Sequence, residues 1–352
     1  MPQVEETRAQ GARTSAPAQH ESPRSDVVAI DVDGLSKRFD EIEAVRGVTF
    51  SVQPGEVFGF LGPNGAGKST TIAMLCTLLR PSAGRATVAG FDVVSQATEV
   101  RRHIGLVFQD TTLDDYLTAE ENLRFHGELY GVRSDVLARR IEEVLRMVEL
   151  WERRRHEVRT FSGGMKRRLE IARGLLHLPR VLFLDEPTLG LDPQTRAHIW
   201  SYIEELRRRE QITIFMTTHY MDEAEYCERI AIIDMGLIVA EGTPSELKAS
   251  VGRDRVDLHT EDDDAAIRAV RDRFGVEAKS SEGAVSMYVV GGEEFVPRLF
   301  AELGVPIHSV RISRPTLDDV FMSYTGRTIR DAEASGGERL RSAPMGRAWR
   351  RR

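Results

Sequence analysis

The stretch Gly62–Thr70, GPNGAGKST, fits G-x-x-x-x-G-K-[ST] and stands between an apolar strand-like run and an amphipathic helical one, the setting that gives this motif chemical meaning. Its glycines let successive backbone N–H groups curl around phosphate oxygens, with the dipole of the following helix behind them. Gly62, Pro63, Asn64, Gly65, Ala66, Gly67, Lys68, Ser69 and Thr70 are therefore expected to hold a nucleoside triphosphate. Lys68 should reach the β- and γ-phosphates and Ser69 should ligate Mg2+. Lysine is scarce here, with five among 48 cationic residues, which makes its presence in this loop more informative. In VLFLDEP, residues 181–187, an apolar strand delivers Asp185 and Glu186 to its C-terminal end, where ligands bind in open α/β sheets. Asp185 would hold Mg2+ and Glu186 would take a proton from an attacking water. His219 ends the apolar run ITIFMTTH and Gln109 follows HIGLVF; each is ordinary alone, yet each should reach the same sheet edge, as a γ-phosphate contact and as a ligand of metal or water. A last stretch, TFSGGMKRRLEIARG (160–174), sets Ser162, Gly163 and Gly164 at a helix start, followed at once by Lys166, Arg167 and Arg168. Cations at a helix N-terminus repel its dipole, so this turn needs an anion that its own stretch does not supply.

The elements that must position these residues alternate. Short apolar strands and helices succeed one another from Val27 onward, the pattern of a mostly parallel sheet covered on both faces. Residues of about 110–165 read as mostly helical, with Val136, Leu137, Ile141, Val144, Leu145 and Val148 on one face. Near Gly242 a boundary is expected, because Thr243, Pro244 and Glu246 form a helix-start signature. Residues 252–325 then read as a small α+β domain with a last helix from Pro315. Residues 1–26, rich in Ala, Ser, Pro, Gln and Glu, read as disordered. So does the tail 327–352, which carries eight arginines against three acidic residues and is expected to be solvated.

The whole chain of 352 residues carries a net charge of −7, which argues against a general nucleic-acid binder. Two cysteines, Cys76 and Cys227, lie in apolar or helical stretches and suit a reducing compartment without a structural disulfide. No secretory signal is seen, and no run approaches the about 18 apolar residues that span a bilayer. Any service to a membrane must pass through a partner.

Taken in order, GPNGAGKST, Gln109, FSGGM, VLFLDEP, LGLD (189–192) and His219 resemble the nucleotide-binding subunit of ABC transporters across roughly residues 28–245. The fold class implied is α/β: a P-loop NTPase of the ABC ATPase type at 27–245, with a mostly parallel sheet and a helical subdomain, plus the small C-terminal α+β domain. By the same resemblance Phe39 is similar to the aromatic residue that stacks on adenine, and Gln109 to the glutamine that links metal to membrane partner. Ser162, Gly163 and Gly164 look like the signature loop, Glu186 like the catalytic glutamate, Asp192 like the D-loop aspartate and His219 like the switch histidine. The common signature is Leu-Ser-Gly-Gly-Gln; here Phe161 and Met165 replace its ends. Similar wording, together with PTLDDVF (315–321), occurs in ATP-binding subunits of daunorubicin-type antibiotic exporters. The cofactors implied are ATP and Mg2+. The partners implied are a second copy, facing head to tail so that each ATP lies between one phosphate loop and the other signature loop, and a separately encoded transmembrane permease. No nucleic acid is expected. The location implied is peripheral, on the cytoplasmic face of the membrane. A soluble ABC ATPase acting on ribosomes or nucleic acid is the alternative; the fused second nucleotide domain or long coiled coil usual in such proteins is not seen. The C-terminal domain has two readings, a packing or dimer-stabilising appendage without a ligand of its own being the plainer one.

Overall fold

The structure, a computed structural model, describes residues 28–281, 284–327 and 329. The segment 1–26 and the tail, apart from Arg327 and Ile329, lie outside the described residues. The chain opens with β1 (Ile30–Phe39) and β2 (Ile42–Val52), then β3 (Val57–Leu61), α1 (Lys68–Leu75), β4 (Ala83–Val88), β5 (Phe91–Asp92), α2 (Ala97–His103) and β6 (Ile104–Val107). A helical stretch follows, α3 (Ala119–Leu129), α4 (Ser134–Met147) and α5 (Gly163–Leu175). It leads to β7 (Val181–Asp185), α6 (Pro193–Glu210), β8 (Thr213–Thr218), α7 (Met221–Ala224), β9 (Arg229–Asp234), β10 (Leu237–Gly242) and α8 (Pro244–Val251). The remainder is β11 (Asp254–Thr260), α9 (Asp263–Phe274), β12 (Ala278–Ser281), β13 (Ala284–Val289), α10 (Gly292–Glu302), β14 (Ile307–Ser313) and α11 (Leu317–Thr325).

Three sheets result. The central one has the order β10-β9-β3-β8-β7-β6, parallel throughout except for the β9–β10 hairpin. Every residue of β3, β7 and β8 is buried, as parallel strands covered on both faces must be. Side chains alternate between those faces. Phe58, Phe60, Phe183 and Phe215 point to one core shared with α1 and the antiparallel sheet β2-β1-β4-β5. Leu61, Leu182, Leu184, Ile214 and Met216 point to the other, shared with α3, α4, α5 and α6. The third sheet, β12-β13-β11-β14, is antiparallel and keeps its own core with α9 and α10.

The last helix departs from that division. Although α11 falls within the 252–325 span, its Leu317, Val320 and Phe321 belong to the core of the central sheet, beside Leu247 of α8. Arg327, expected to open a solvated tail, donates to both carboxylate oxygens of Asp234 at 2.9 Å. The expected capping box at Thr243 is present, with Thr243 Oγ1 accepting from the Glu246 backbone at 3.1 Å and Pro244 in the first helical position. Cys76 and Cys227 are buried thiols. Among the described residues no helix is long and apolar enough to cross a membrane.

Candidate functional site

The strand order places the C-terminal ends of β3, β8 and β7 side by side, and the candidate residues leave the sheet there. Leu61 is level with Thr218, and Asp185 with Thr217. The loop from β3 into α1 turns back on itself at Gly67, whose φ of 109° is left-handed and whose missing β-carbon would stand 2.6 Å from the Ala44 carbonyl oxygen. Only glycine fits such a position. Phe39 is half-buried at the end of β1, paired with Ile42, with the Lys37 ammonium 5.0 Å from its ring centroid. The hairpin it closes leads to Ala44 and Val45, which pack against Gly67.

Lys68 is 4% exposed. Its Nζ donates to the Gly62 and Pro63 carbonyl oxygens at 2.7 and 3.2 Å and pairs with Glu186 Oε1 at 3.2 Å. Ser69 Oγ donates to Asp185 Oδ1 at 3.2 Å, and Thr217 Oγ1 donates to the same oxygen at 2.5 Å. His219 Nδ1 stands 3.3 Å from Glu186 Oε1, while the exposed Gln109 donates its amide to Glu186 Oε2 over 3.5 Å. Six of the expected residues, Lys68, Ser69, Gln109, Asp185, Glu186 and His219, thus meet at one edge. Glu186 holds a φ of 46°, uncommon for a residue with a side chain and a place where strain is stored. Its backbone N–H donates to Thr217 Oγ1 at 3.1 Å.

The two adjacent carboxyls are driven apart. Burial raises the Asp185 carboxyl and the neighbouring Glu186 charge raises it further; hydrogen bonds from Thr217 and Ser69 do not fully offset this, so it sits above its usual range. Burial also pushes Glu186 upward, but His219 and Lys68 outweigh that and hold it below the ordinary value. Glu186 therefore stays ionised, the form that can accept a proton, with its charge shared by Lys68 and His219. Ser69, Asp185 and the Gln109 amide offer hard oxygen donors of the kind Mg2+ takes. Among the described residues no three His, Cys, Asp or Glu gather as a metal group. The donors therefore fit an ion that keeps phosphate and water ligands better than one caged by protein.

Ser162, Gly163, Gly164 and Asp192 form a second group. Ser162 caps α5, its Oγ accepting from the Met165 N–H at 3.3 Å. Asp192 caps α6, accepting from the Thr195 N–H at 3.0 Å and its hydroxyl at 2.7 Å. Gly164 packs on that same Thr195 so closely that a β-carbon would stand 2.5 Å from Cγ2. Ser162, Gly163 and Asp192 are exposed, so the signature turn and the aspartate present one surface outward.

The three cations after that turn are used within the chain. Lys166 pairs with Asp115 at 2.6 Å, and Arg168 donates to the Val148 carbonyl at 3.1 Å and to the Tyr202 hydroxyl at 3.3 Å. Arg167 is buried and fans out to the carbonyl oxygens of Pro187 (2.6 Å), Asp185 (3.0 Å), Glu186 (3.2 Å) and Phe108, and to Glu170 Oε2 at 3.1 Å. Glu170 in turn accepts from the Thr112 N–H at 2.8 Å. One arginine thus fastens both the 185–187 turn and the loop that carries Gln109. Three further residues escaped the sequence reading. Thr217 gave no signal beyond its level with Asp185. Arg167 was hidden in a basic run. Glu223, four residues after His219, is 1% exposed and accepts from Thr218 Oγ1 at 2.6 Å.

The chain is similar to known proteins along most of its length. Residues 45–189 match the ABC transporter family, and residues 242–325 match the C-terminal domain of DrrA1-3-like ATP-binding proteins. The chain is 42% identical to the daunorubicin resistance ATP-binding protein DrrA3 of Streptomyces coeruleorubidus, over 87% of this chain and 99% of that one. It is 38% identical to the linearmycin resistance ATP-binding protein LnrL of Bacillus subtilis strain 168, over 86% and 100%. Among solved structures it is similar to an ATP-binding subunit of an ABC transporter, at 31% identity and a TM-score of 0.58, covering 64% of this chain and 93% of that one. It also resembles the dimeric cassette MJ0796 bound to ADP and Pi, at 28% identity and a TM-score of 0.56, covering 61% and 98%. With its phosphate loop, paired acids and histidine converging on one sheet edge, this chain belongs to the ATP-binding proteins of ABC transporters, a family of ATPases, and carries a C-terminal domain of the DrrA type.

Proposed function

We propose that this chain is the ATP-hydrolysing subunit of a multi-subunit exporter and energises a separately encoded membrane permease that moves a compound of the antibiotic class. The observation that carries the reading is the meeting of Lys68 and His219 on one carboxylate oxygen of Glu186, at 3.2 and 3.3 Å, at the strand ends. The resistance relatives, similar over nearly their whole length, support the exporter assignment. Phe39 stacks on adenine and the 62–70 loop holds the phosphates. Arriving γ-phosphate competes with Glu186 for the Lys68 ammonium and so releases the carboxylate. Glu186 then accepts the proton of the attacking water as its oxygen bonds to the γ-phosphorus and the bond to the β-phosphate oxygen breaks, giving ADP and phosphate. His219 holds the spent carboxyl side and the γ-phosphate in place. Ser69, Asp185 and Gln109 would hold Mg2+, which, when bound, neutralises charge on the β- and γ-phosphates.

Ser162, Gly163 and Gly164 act in trans, closing on the nucleotide of a second copy, with the exposed Asp192 as the D-loop residue beside them. This supplies the anion that the helix start of α5 wants. Closure and reopening of that homodimer pass to the permease through the loop around Gln109, which places the chain peripherally at the cytoplasmic membrane face. Two substitutions separate the two halves of a site. Ser162→Arg should leave ATP binding by the monomer within about twofold and lower hydrolysis at least about 100-fold, since removing one transition-state contact alone costs that much. Lys68→Ala should weaken both. Equilibrium binding of a fluorescent ATP analogue and phosphate release measure the two quantities; normal hydrolysis by Ser162→Arg would leave that turn only a helix cap.

A further inference from the structure

Glu223 is a carboxylate with no part in the chemistry above, yet it is among the most deeply buried charges in the molecule, 1% exposed on the short α7. Burying an ion costs several kcal/mol unless strong bonds offset it, and an apolar side chain would pack there at less cost. What surrounds it is specific. One oxygen accepts from Thr218 Oγ1 at 2.6 Å and the other from Thr188 Oγ1 in a close contact. Arg196 Nε stands 3.8 Å from Oε1. Thr218 directly precedes His219, and Thr188 follows Glu186 by two residues. Arg196 belongs to the first turn of α6, which Asp192 caps, and its guanidinium lies 4.1 Å from the Tyr220 ring centroid, whose ring is 4.0 Å from that of His219. A single carboxylate therefore grips the two strand-end segments that carry the general base and the histidine, and touches the helix that carries the outward aspartate.

We propose that Glu223 is a positioning residue for hydrolysis, which fixes the approach of His219 to Glu186 by holding Thr218 and Thr188 and ties that approach to the position of α6. The inference rests on the reading of Glu186 and His219 as the hydrolytic pair. A glutamine at 223 keeps the shape but removes the charge and replaces one acceptor oxygen by an NH2 donor, so one threonine hydroxyl must turn from donating to accepting and the strand end it belongs to is displaced with it. A displacement of this kind, away from the reacting atoms, loses rate and leaves binding intact.

The test is a kinetic cycle on the full-length chain with Glu223→Gln, His219→Ala and the double variant, read as kcat, KM for MgATP and equilibrium binding of a fluorescent ATP analogue. The expected result is a fall in kcat of about 10-fold or more for Glu223→Gln, ATP affinity within twofold, and almost no further loss when the substitution is added to His219→Ala, because both act through one contact. A multiplicative loss in the double variant, or a parallel fall of kcat and ATP affinity, would reduce Glu223 to a structural part and overturn the proposal. Thr218→Val, which removes one hydroxyl with little change of shape, takes the place of Glu223→Gln in the same cycle if the latter does not fold. Unimpaired hydrolysis by His219→Ala would instead strike the hydrolytic pair itself, and impaired His219→Ala beside normal Glu223→Gln would strike only the present proposal.

Discussion

Arg167 shows how much of the candidate site is held in place by a buried residue behind it. Its five acceptors lie on three separate segments, and no other side chain could replace them: lysine carries the charge as a point, without the planar fork that reaches several oxygens at once. Truncation would strand the buried Glu170 carboxylate and leave the carbonyls at 108, 185, 186 and 187 short of a donor. Breaking a buried charge pair in this way costs about 3–5 kcal/mol. We expect Arg167→Met to lower the unfolding free energy by that amount in urea titrations and Arg167→Lys to fall between it and the unsubstituted chain; equal stability of all three would mean that the fan of bonds contributes nothing. The charge of Arg167 was visible in the sequence, but its direction was not. In a run of three cations the helix rotation decides which one faces inward, and that rotation is set by where Leu169, Ile171 and Ala172 pack. The phosphate loop, by contrast, was legible because its residues act next to one another along the chain. Glu186 and His219 stood in between: each was readable at its own strand end, and their contact follows from the pairing of β7 with β8, which no local pattern records.

At the scale of elements, α3 carries a proton balance of its own. His126, on α3, faces Tyr130 at 4.5 Å and His177 at 6.0 Å between ring centroids. Burial, then the charge of Arg173 and then His177, push its imidazole down from the usual 6.5 to about 3. Below pH 6.5 the unfolded chain therefore binds a proton here that the native helix refuses until about pH 3. The stability this site lends is present above 6.5 and is lost as pH falls toward 3, at a ceiling of about 1.4 kcal/mol per pH unit. Partial exposure screens part of it, so we expect the drop between pH 7 and pH 5 to shrink by about 1 kcal/mol in His126→Gln. Urea midpoints at the two pH values measure it. His177, lowered chiefly by burial, contributes with the same sign and remains in the variant; an unchanged pH dependence would show that His126 is solvated in the folded chain. The helical stretch as a whole was readable from the apolar face of α4, since Leu137, Ile141, Val144 and Leu145 are all buried. The inward turn of His126 was not, because a half-buried histidine leaves no periodic mark.

Across the whole molecule, α11 joins what the sequence reading had separated. A last helix following β14 was expected to finish the small α+β domain, as its position along the chain suggests. Instead its apolar face completes the core of the central sheet, with Val320 and Phe321 fully buried beside Leu247. The capping box of Thr316 and Asp319 fixes where it starts, and Arg327 closes it onto Asp234. Asp234 ends β9; two residues on, the Gly236 N–H donates to the Ala66 carbonyl at 2.9 Å, so the hairpin gripped by Arg327 is bonded to the phosphate loop itself. Local periodicity could find α11 but not its destination, since the same amphipathic stripe fits either core. The packing makes a distinct demand. Phe321→Ala should cost about 3–5 kcal/mol, as removal of a buried aromatic ring does, and the loss should fall on the nucleotide-binding side. Amide hydrogen exchange should quicken in α8, β9 and β10 while β11–β14 keep their protection, and MgATP should bind more weakly because the Ala66 contact loosens. Were protection to fall in β11–β14 and hold in β9 and β10, α11 would belong energetically to the small sheet, and the C-terminal segment would have no mechanical hold on the phosphate loop.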